Sequence, residues 1–113
     1  MKEIKAIIQP FKLQAVCDAL AAIEGLPGLT VSQVLGWGKT RARDVTQPVK
    51  QNGHAFAKKT KVELVVADEL AGRVVDAIVR AARTGRAGDG KVFVYEVQEV
   101  VRIRTGERGH DAV

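Results

Sequence analysis

A chain of 113 residues predicts one domain with a core of moderate size. Hydrophobic residues make up 46% of it, which excludes a disordered chain, whereas aromatic residues make up only 4%, so the core must be mainly aliphatic. The net charge of +5 favours anionic partners such as nucleotides, nucleic acid or a membrane surface. The single cysteine excludes an internal disulfide. No apolar run approaches the roughly 20 residues that span a bilayer, and no signal peptide is visible, so we expect a cytoplasmic protein.

Hydrophobic periodicity predicts alternating strands and helices, with one long irregular segment between them. In chain order we expect a strand at 2–8, a helix at 12–23, a strand at 29–36, a mobile protruding loop at 39–57, a strand at 61–67, a helix from 68 to 83 with Asp68 as its N-cap, and a strand at 91–97 that residues 100–104 extend or supplement. In the first strand, Ile4, Ala6 and Ile8 share one face.

The order β-α-β-β-α-β predicts an α+β fold of the ferredoxin-like type, with an antiparallel sheet and two helices on one face. The other sheet face carries Ile7, Val65 and similar apolar residues. It would be exposed in a monomer, so we predict a closed cyclic oligomer.

The glycine-rich stretch Thr84-Gly85-Arg86-Ala87-Gly88-Asp89-Gly90-Lys91-Val92-Phe93 is the main candidate for a binding site. Glycines let backbone amides approach an anion closely, and Arg86 and Lys91 add positive charge, so the stretch is typical of a phosphate-binding loop. A tight turn between a helix and a strand explains the same residues about equally well.

Further cations lie where this fold would bring them near the loop, although a solvated basic surface is the alternative. They are Lys58, Lys59 and Lys61, which open the third strand, and Arg102 and Arg104, whose alternation would place both guanidinium groups on one face.

Gly36-Trp37-Gly38 suggests either a hinge with a stacking surface or a bulge with Trp37 as a packing anchor. Cys17, His54 and His110 do not have metal-ligand spacing, so no metal site is predicted. No catalytic arrangement of nucleophile and base, or of paired carboxylates, is visible, so we expect no enzyme.

Taken together, these motifs resemble the PII signal-transduction family of nitrogen regulators over nearly the whole chain. The opening Ile7-Ile8-Gln9-Pro10-Phe11-Lys12-Leu13 is similar to the family's first strand and turn. The glycine-rich stretch resembles its B-loop signature, and Arg102-Ile103-Arg104-Thr105-Gly106-Glu107 resembles its C-terminal signature.

The resemblance implies a single PII-like domain, 1–113, that forms a homotrimer and binds ATP or ADP competitively in three clefts between subunits. Its parts would be a T-loop at 39–57 that docks on a target transporter or enzyme, a B-loop at 83–90, and a C-terminal loop and tail at 102–113. The implied nucleotide-binding residues are Ile7, Gly28, Thr30, Gly36, Trp37, Gly38, Lys39, Glu63, Val65, Arg86, Gly88, Asp89, Gly90, Lys91, Arg102, Ile103 and Arg104. The two arginines would reach the phosphates from the adjoining subunit.

The sequence departs from the family mainly in the T-loop. Lys59 matches the lysine that pairs with 2-oxoglutarate, but Thr40 stands where the family has a glutamine that helps bind Mg²⁺ and 2-oxoglutarate, which puts this ligand pair in doubt. Lys58 replaces a proline, and Trp37 stands where the family usually has phenylalanine. Asn52 aligns with the tyrosine that many members uridylylate, and residues 39–57 contain neither tyrosine nor serine, so modification of those types is excluded there.

Two other functions fit the same fold. RNA-recognition modules share the topology, but they stack bases on several exposed aromatic residues, and here only Phe93 and Tyr95 share a face. We therefore expect no nucleic-acid partner. A phosphate-cleaving enzyme would need a positioned nucleophile or amide, and the only asparagine is Asn52.

Overall fold

The computed structural model describes residues 1–37, 49–51 and 53–113. Its elements are β1 (Lys2–Ile8), α1 (Leu13–Ala21), β2 (Thr30–Gly36), β3 (Val49–Gln51), β4 (His54–Val66), α2 (Asp68–Ala82) and β5 (Lys91–Glu96), with short 3-10 helices at Pro10–Lys12 and Gly109–Ala112.

Four strands form one antiparallel sheet in the order β2-β4-β1-β5, and β3 pairs with the N-terminal end of the long strand β4. The register places Ile7 of β1 between Lys61 of β4 and Lys91 of β5. The predicted α+β class and antiparallel sheet are therefore confirmed.

The core lies between one sheet face and both helices. Ile4, Ala6 and Ile8 are buried there, as their alternation predicted. The other core residues come from β4 and the two helices: Val16, Leu20, Val62, Leu64, Val66, Val74, Ile78 and Ala82. Because α1 and α2 contribute to this single cluster, both cover the same side of the sheet. Within the described ranges, neither helix is long and apolar enough to cross a membrane.

The opposite sheet face, which we call the open face, is more polar than the sequence suggested. Lys5 lies in register with Glu63 on one side and Phe93 on the other. Its ammonium lies 5.3 Å from the Phe93 ring centre and 5.1 Å from the Tyr95 ring centre. Both rings keep about two fifths of their surface exposed, at 39% and 44%. The open face is thus a mixed surface of charged and aromatic groups, with Ile7 and Val65 only partly exposed on it.

The prediction of an irregular loop over 39–57 is wrong for its second half. Residues 49–51 form β3, and β4 begins at His54, seven residues earlier than expected for the third strand. Gln51 and His54 are directly paired, and Gly53 has a positive φ of 79°. The Asn52-Gly53 dipeptide is the sequence signal for such a hairpin. Residues 38–48 and 52 lie outside the described part of the chain.

Two smaller predictions also need correction. Asp68 is the first residue of α2 and not its N-cap; its carboxylate instead pairs with the Met1 ammonium at 2.8 Å. Residues 100–104 do not form a strand: Val101 makes one isolated bridge with Arg108, and residues 103–105 form a turn. The turn forms because Gly106 N–H donates to the Arg102 carbonyl.

The burial pattern of α2 predicts a sharp contrast between adjacent residues. Ile78 is fully buried, whereas Val79 is 37% exposed. Replacing Ile78 by alanine leaves a cavity, so Ile78→Ala should lower the free energy of unfolding by about 2–5 kcal/mol. The neighbouring control Val79→Ala should cost less than about 1 kcal/mol. Urea denaturation of both variants measures the difference, and equal losses would contradict the packing of α2 described above.

Candidate functional site

The candidate site lies at the end of the sheet at which β1 and β2 finish and β5 begins. Ile7 is paired with Lys91 at this end, and Gly36 is paired with Ala57 of β4. The glycine-rich loop between α2 and β5 crosses the end of β1. The sequence predicted these segments separately, and the sheet register brings them together.

The loop is folded by its own carboxylate. Asp89 accepts hydrogen bonds from the backbone N–H groups of Thr84 at 2.8 Å and Gly85 at 2.9 Å, and from the Thr84 hydroxyl. The hydroxyl bond, assisted by the backbone bonds, holds the pKa of Asp89 below its ordinary value of 3.8. Asp89 therefore fixes the shape of the loop from inside. Thr84 is the first residue of the candidate stretch, but it was not among the implied nucleotide-binding residues. The only feature in the sequence that indicates its role is a hydroxyl five positions before the Asp89 carboxylate.

Three glycines give the loop conformations that other residues rarely adopt. Gly85, Gly88 and Gly90 have φ values of 87°, 93° and 96°. At Gly90 the contact is also very close, because a Cβ atom would overlap the Ile7 carbonyl oxygen and lie 2.7 Å from its carbon. Among the described residues, the N–H groups of Gly88 and Gly90 have no hydrogen-bond acceptor. The loop is thus anchored on β1 and leaves amides available to an anion.

Lys59 connects the long strand to this loop. Its ammonium donates a 2.6 Å hydrogen bond to the Gly88 carbonyl. Burial lowers the pKa of Lys59, and the nearby Asp89 carboxylate partly offsets that effect. A Cβ at Gly88 would lie 3.1 Å from the Gln9 side-chain nitrogen, so Gln9 borders the same point. Gln9 was not predicted as a site residue.

The cations predicted to gather here are divided between two faces. Lys59 and Lys61 alternate with Lys58 along β4, so Lys58 lies on the opposite face of the strand. Lys61 is paired with Glu63 at 3.6 Å. Arg86 and Lys91 are exposed beside the loop. Only part of the predicted basic cluster therefore adjoins the glycines.

Other predicted residues lie further along the open face. Thr30 is in register with Glu63, and Val65 with Glu3. Gly28 precedes β2, and a side chain there would meet no atom within 4 Å. Thr30, Glu63 and Val65 share the open face of the sheet with Ile7, and the strand pairing does not bring them to the glycine-rich loop.

The C-terminal arginines lie at the other end of the sheet. β5 runs away from the loop, and Val97 N–H donates to the Met1 carbonyl at the start of β1. The length of β1 separates the two ends by about 20 Å. Arg102 is held within its own turn, 3.3 Å from Glu107 and 3.2 Å from the Asp111 carbonyl, and Ile103 at the tip is fully exposed. The strand on which the alternation of Arg102 and Arg104 was predicted is absent, because residues 103–105 form a turn.

Trp37 packs as an anchor at the base of the hairpin. Its ring centre lies 4.8 Å from that of His54 and 6.1 Å from that of Phe56. This arrangement favours the packing interpretation of Gly36-Trp37-Gly38 over a free stacking surface. Gly38 and Lys39 lie outside the described residues. Across the ranges that the structure describes, no three His, Cys, Asp or Glu side chains lie together as a metal site would require.

The fold agrees with comparisons to known proteins. The family model "Nitrogen regulatory protein P-II" matches residues 1–107. The nitrogen regulatory proteins P-II of Rhizobium meliloti and Rhodospirillum rubrum are 50% and 49% identical to the chain, and each alignment covers both proteins completely. A crystal structure of Arabidopsis thaliana PII bound to citrate superposes with a TM-score of 0.79 at 39% identity, covering 99% of this chain and 91% of that one.

The chain therefore belongs to the P-II family of nitrogen regulatory proteins. Its members are signal-transduction proteins that regulate target proteins, with nucleotide binding as part of the general family function. The relatives named above are nitrogen regulatory proteins.

The close approach of Gly90 to β1 predicts different effects for two glycine substitutions. Gly90→Ala combines a positive φ with overlap of the Ile7 backbone, so the loop must move. Gly85→Ala also requires a positive φ, but nothing lies within 4 Å of its Cβ. We expect Gly85→Ala to cost roughly 1–2 kcal/mol in thermal unfolding, and Gly90→Ala to cost more. Equal melting temperatures for the two variants would argue against the anchoring role of Gly90.

The depressed pKa of Asp89 predicts an acid-dependent contribution to stability. A group whose pKa is lower in the folded state stabilises the fold above its unfolded pKa and loses that effect as pH falls through the folded value. The wild type should therefore be more stable than Asp89→Asn at neutral pH, and the two should converge below the ordinary value of 3.8. Melting curves from neutral to strongly acidic pH test this, and a constant difference at all pH values would contradict it.

Proposed function

We propose that the protein is a cytoplasmic trimeric sensor that binds ATP and ADP competitively in three clefts, each formed by two adjacent subunits. The observation that carries the proposal is the separation of the two basic halves of the site. The glycine-rich loop with Lys91 lies at one end of the sheet, and Arg102 and Arg104 lie at the other. The two basic regions of one subunit are too far apart to contact the same ligand. The glycine-rich loop of one subunit and the arginines of its neighbour could contact it together.

The first half of each cleft would hold the phosphates. The free amides of Gly88 and Gly90 offer donors, and exposed Arg86 and Lys91 offer charge. Asp89 would contribute through its backbone N–H alone, because its carboxylate is occupied by Thr84 and Gly85. Gly36, Trp37, Gly38 and Lys39 would border the ligand at the root of the T-loop.

The second half would come from the neighbouring subunit. Arg102 is already held in position by Glu107, and the exposed turn carries Ile103 and Arg104 with it. On the open face, Ile7, Gly28, Thr30, Glu63 and Val65 would surround the base. The carboxylate of Glu63 is the one charged acceptor in that set, which suits the exocyclic amine of adenine.

A ring follows from this arrangement of halves. A contact in which one surface of a subunit meets a different surface of the next is heterologous, and such contacts form a closed ring when the rotation between subunits closes. The open face, with its partly exposed Phe93 and Tyr95, would line the centre of that ring. The number of three subunits rests on the family resemblance.

The T-loop, residues 39–57, would contact a target transporter or metabolic enzyme and so transmit the effect of the bound nucleotide. The hydrogen bond from Lys59 to the Gly88 carbonyl joins the strand that follows this loop to the phosphate-binding loop. A phosphate that attracts the Lys59 ammonium would weaken that bond, so nucleotides with different phosphate tails would favour different conformations. The site is less suited to 2-oxoglutarate with Mg²⁺ than to a nucleotide, since Thr40 replaces the glutamine and the Lys59 ammonium already donates to the Gly88 carbonyl.

RNA binding is the weaker alternative. The aromatic pair Phe93 and Tyr95 is exposed on the sheet as in RNA-recognition modules, with ring centres 6.5 Å apart. However, the Lys5 ammonium lies over both rings and competes with a stacked base for that surface. The geometry supports nucleotide binding better.

Mixed trimers provide the test. Lys91→Ala removes a cation from the first half of every cleft, and the double variant Arg102→Ala/Arg104→Ala removes the second half. We expect each variant to bind ATP and ADP at least about tenfold more weakly than the wild type, since each loses a charge-assisted contact. Coexpressed with different C-terminal tags and purified through both, the two variants should form trimers with one intact cleft that binds ATP with wild-type affinity in calorimetry.

The controls separate the parts of this proposal. Arg73→Ala, an exposed cation on α2 outside the proposed set, should leave binding unchanged. If mixed trimers bind no better than either variant, the cleft is not shared between subunits. If the wild type binds neither nucleotide, the sensor proposal itself fails.

A further inference from the structure

Arg102 is held from two sides within the C-terminal part of the chain. Its Nη1 lies 3.3 Å from the Glu107 carboxylate, and its Nη2 donates a 3.2 Å hydrogen bond to the Asp111 carbonyl. Arg104, two residues further on, is exposed and has no side-chain partner among the described residues. The two arginines of the proposed cleft are therefore unequal, because the subunit itself fixes one guanidinium group and not the other.

Glu107 can fix Arg102 because the turn fixes Glu107 as well. The Arg102 N–H donates to the Glu107 carbonyl at 2.9 Å, and the Gly106 N–H donates to the Arg102 carbonyl at 2.7 Å, so the backbone joins the two residues. The Thr105 hydroxyl donates to the Glu107 carboxylate at 2.8 Å and accepts from the Glu107 N–H at 3.2 Å. The position of the carboxylate thus depends on the turn and not on Arg102 alone.

The second support of Arg102 comes from the 3-10 helix Gly109–Ala112. The Gly109 N–H donates to the Val100 carbonyl at 3.0 Å, so this helix folds back and places the Asp111 carbonyl beside Arg102. The two acceptors use two of the five N–H donors of a guanidinium group and leave three. The side chain of Arg102 is 40% exposed, so the remaining donors can reach a phosphate while both contacts persist.

We infer that Glu107 is a positioning residue of the nucleotide cleft, which holds the Arg102 guanidinium in place for the phosphates bound by the neighbouring subunit. A long side chain loses conformational freedom when it binds a ligand, and one that is already held loses less. The inference rests on the proposed function, because that function makes Arg102 a phosphate ligand. It adds a carboxylate that does not touch the nucleotide and acts through Arg102.

A carboxylate beside an arginine can also compete with phosphate for it, and the two roles predict opposite signs. If Glu107 competed, its removal would make ATP bind more tightly. If Glu107 positions Arg102, its removal makes ATP bind more weakly. The three unused donors of Arg102 and the separate hydrogen bond from Thr105 to the carboxylate favour positioning, because Glu107 need not leave when a phosphate arrives.

The first measurement needs no nucleotide. The ¹⁵N relaxation of arginine Nε–H groups reports motion on the picosecond-to-nanosecond timescale. In the wild type, Arg102 should be rigid and Arg104 mobile. Glu107→Ala should make Arg102 as mobile as Arg104, whereas Glu107→Gln keeps an acceptor oxygen and should leave it rigid. The matched control Glu99→Ala breaks the ion pair with Arg108 in the same segment and should leave Arg102 unchanged.

The second measurement is calorimetry with ATP. Glu107→Ala should weaken binding about three- to tenfold, the range expected for one side chain that must be immobilised. Glu107→Gln should recover most of this loss, and Glu99→Ala should bind as the wild type does. In an Arg102→Ala background Glu107→Ala should have no further effect, whereas in an Arg104→Ala background it should keep its full effect. A merely structural role in the turn would weaken binding in both backgrounds.

Three results would overturn the inference: tighter ATP binding by Glu107→Ala, equal losses in the two arginine backgrounds, or an Arg102 side chain as mobile as Arg104 in the wild type. If Arg102→Ala weakens ATP binding and Glu107→Ala does not, the inference fails and the proposed function stands. If the wild type binds neither ATP nor ADP, both fail.

Melting curves show whether each variant is folded. Thr105→Ala, which removes the hydroxyl that holds the carboxylate, is a milder second variant for the case in which Glu107→Ala does not fold. It should weaken ATP binding in the same direction, and that effect should also vanish in the Arg102→Ala background. An unchanged affinity of a folded Thr105→Ala protein, together with a mobile Arg102 in the wild type, would again contradict the positioning role.

Discussion

The contact between Gly90 and the end of β1 determines where the functional loop lies. A side chain at position 90 would overlap the Ile7 carbonyl, so only glycine lets the loop cross the strand at this distance. Asp89 then closes the loop by binding Thr84 and Gly85, and Lys59 ties it to β4 through Gly88. The shape of the loop is therefore set before any ligand arrives, which reduces the entropy cost of binding an anion.

The antiparallel sheet imposes a second constraint, because β5 carries the chain away from this loop. The turn at 103–105, which carries Arg104 and follows Arg102, consequently lies near the N-terminus, at the far end of β1. A ligand that contacts both regions would need two subunits, so under the proposed function strand direction would link nucleotide binding to assembly. The open face fits this requirement, since its charged and aromatic side chains, Lys5, Phe93 and Tyr95 among them, are left without a covering layer in one chain.

The long strand β4 joins the hairpin with β3 to the glycine-rich loop. Alternation sends Lys59 to the glycine-rich loop and sends Phe56 and Lys58 to the opposite face of the strand. A shift of this strand that follows the loss of the Lys59 hydrogen bond would move both faces together.

The sequence by itself determined the strand and helix order, the buried alternation of Ile4, Ala6 and Ile8, and the glycine-rich loop, because these depend on neighbours along the chain. It also contained Asn52-Gly53, a two-residue hairpin signal that hydrophobic periodicity does not reveal. Only the tertiary structure decided that Asp89 turns inward, that Lys58 and Lys59 separate, and that Trp37 packs with His54 and Phe56. Those contacts join residues whose proximity depends on sheet register and turn geometry, which the packed sheet fixes and local patterns do not.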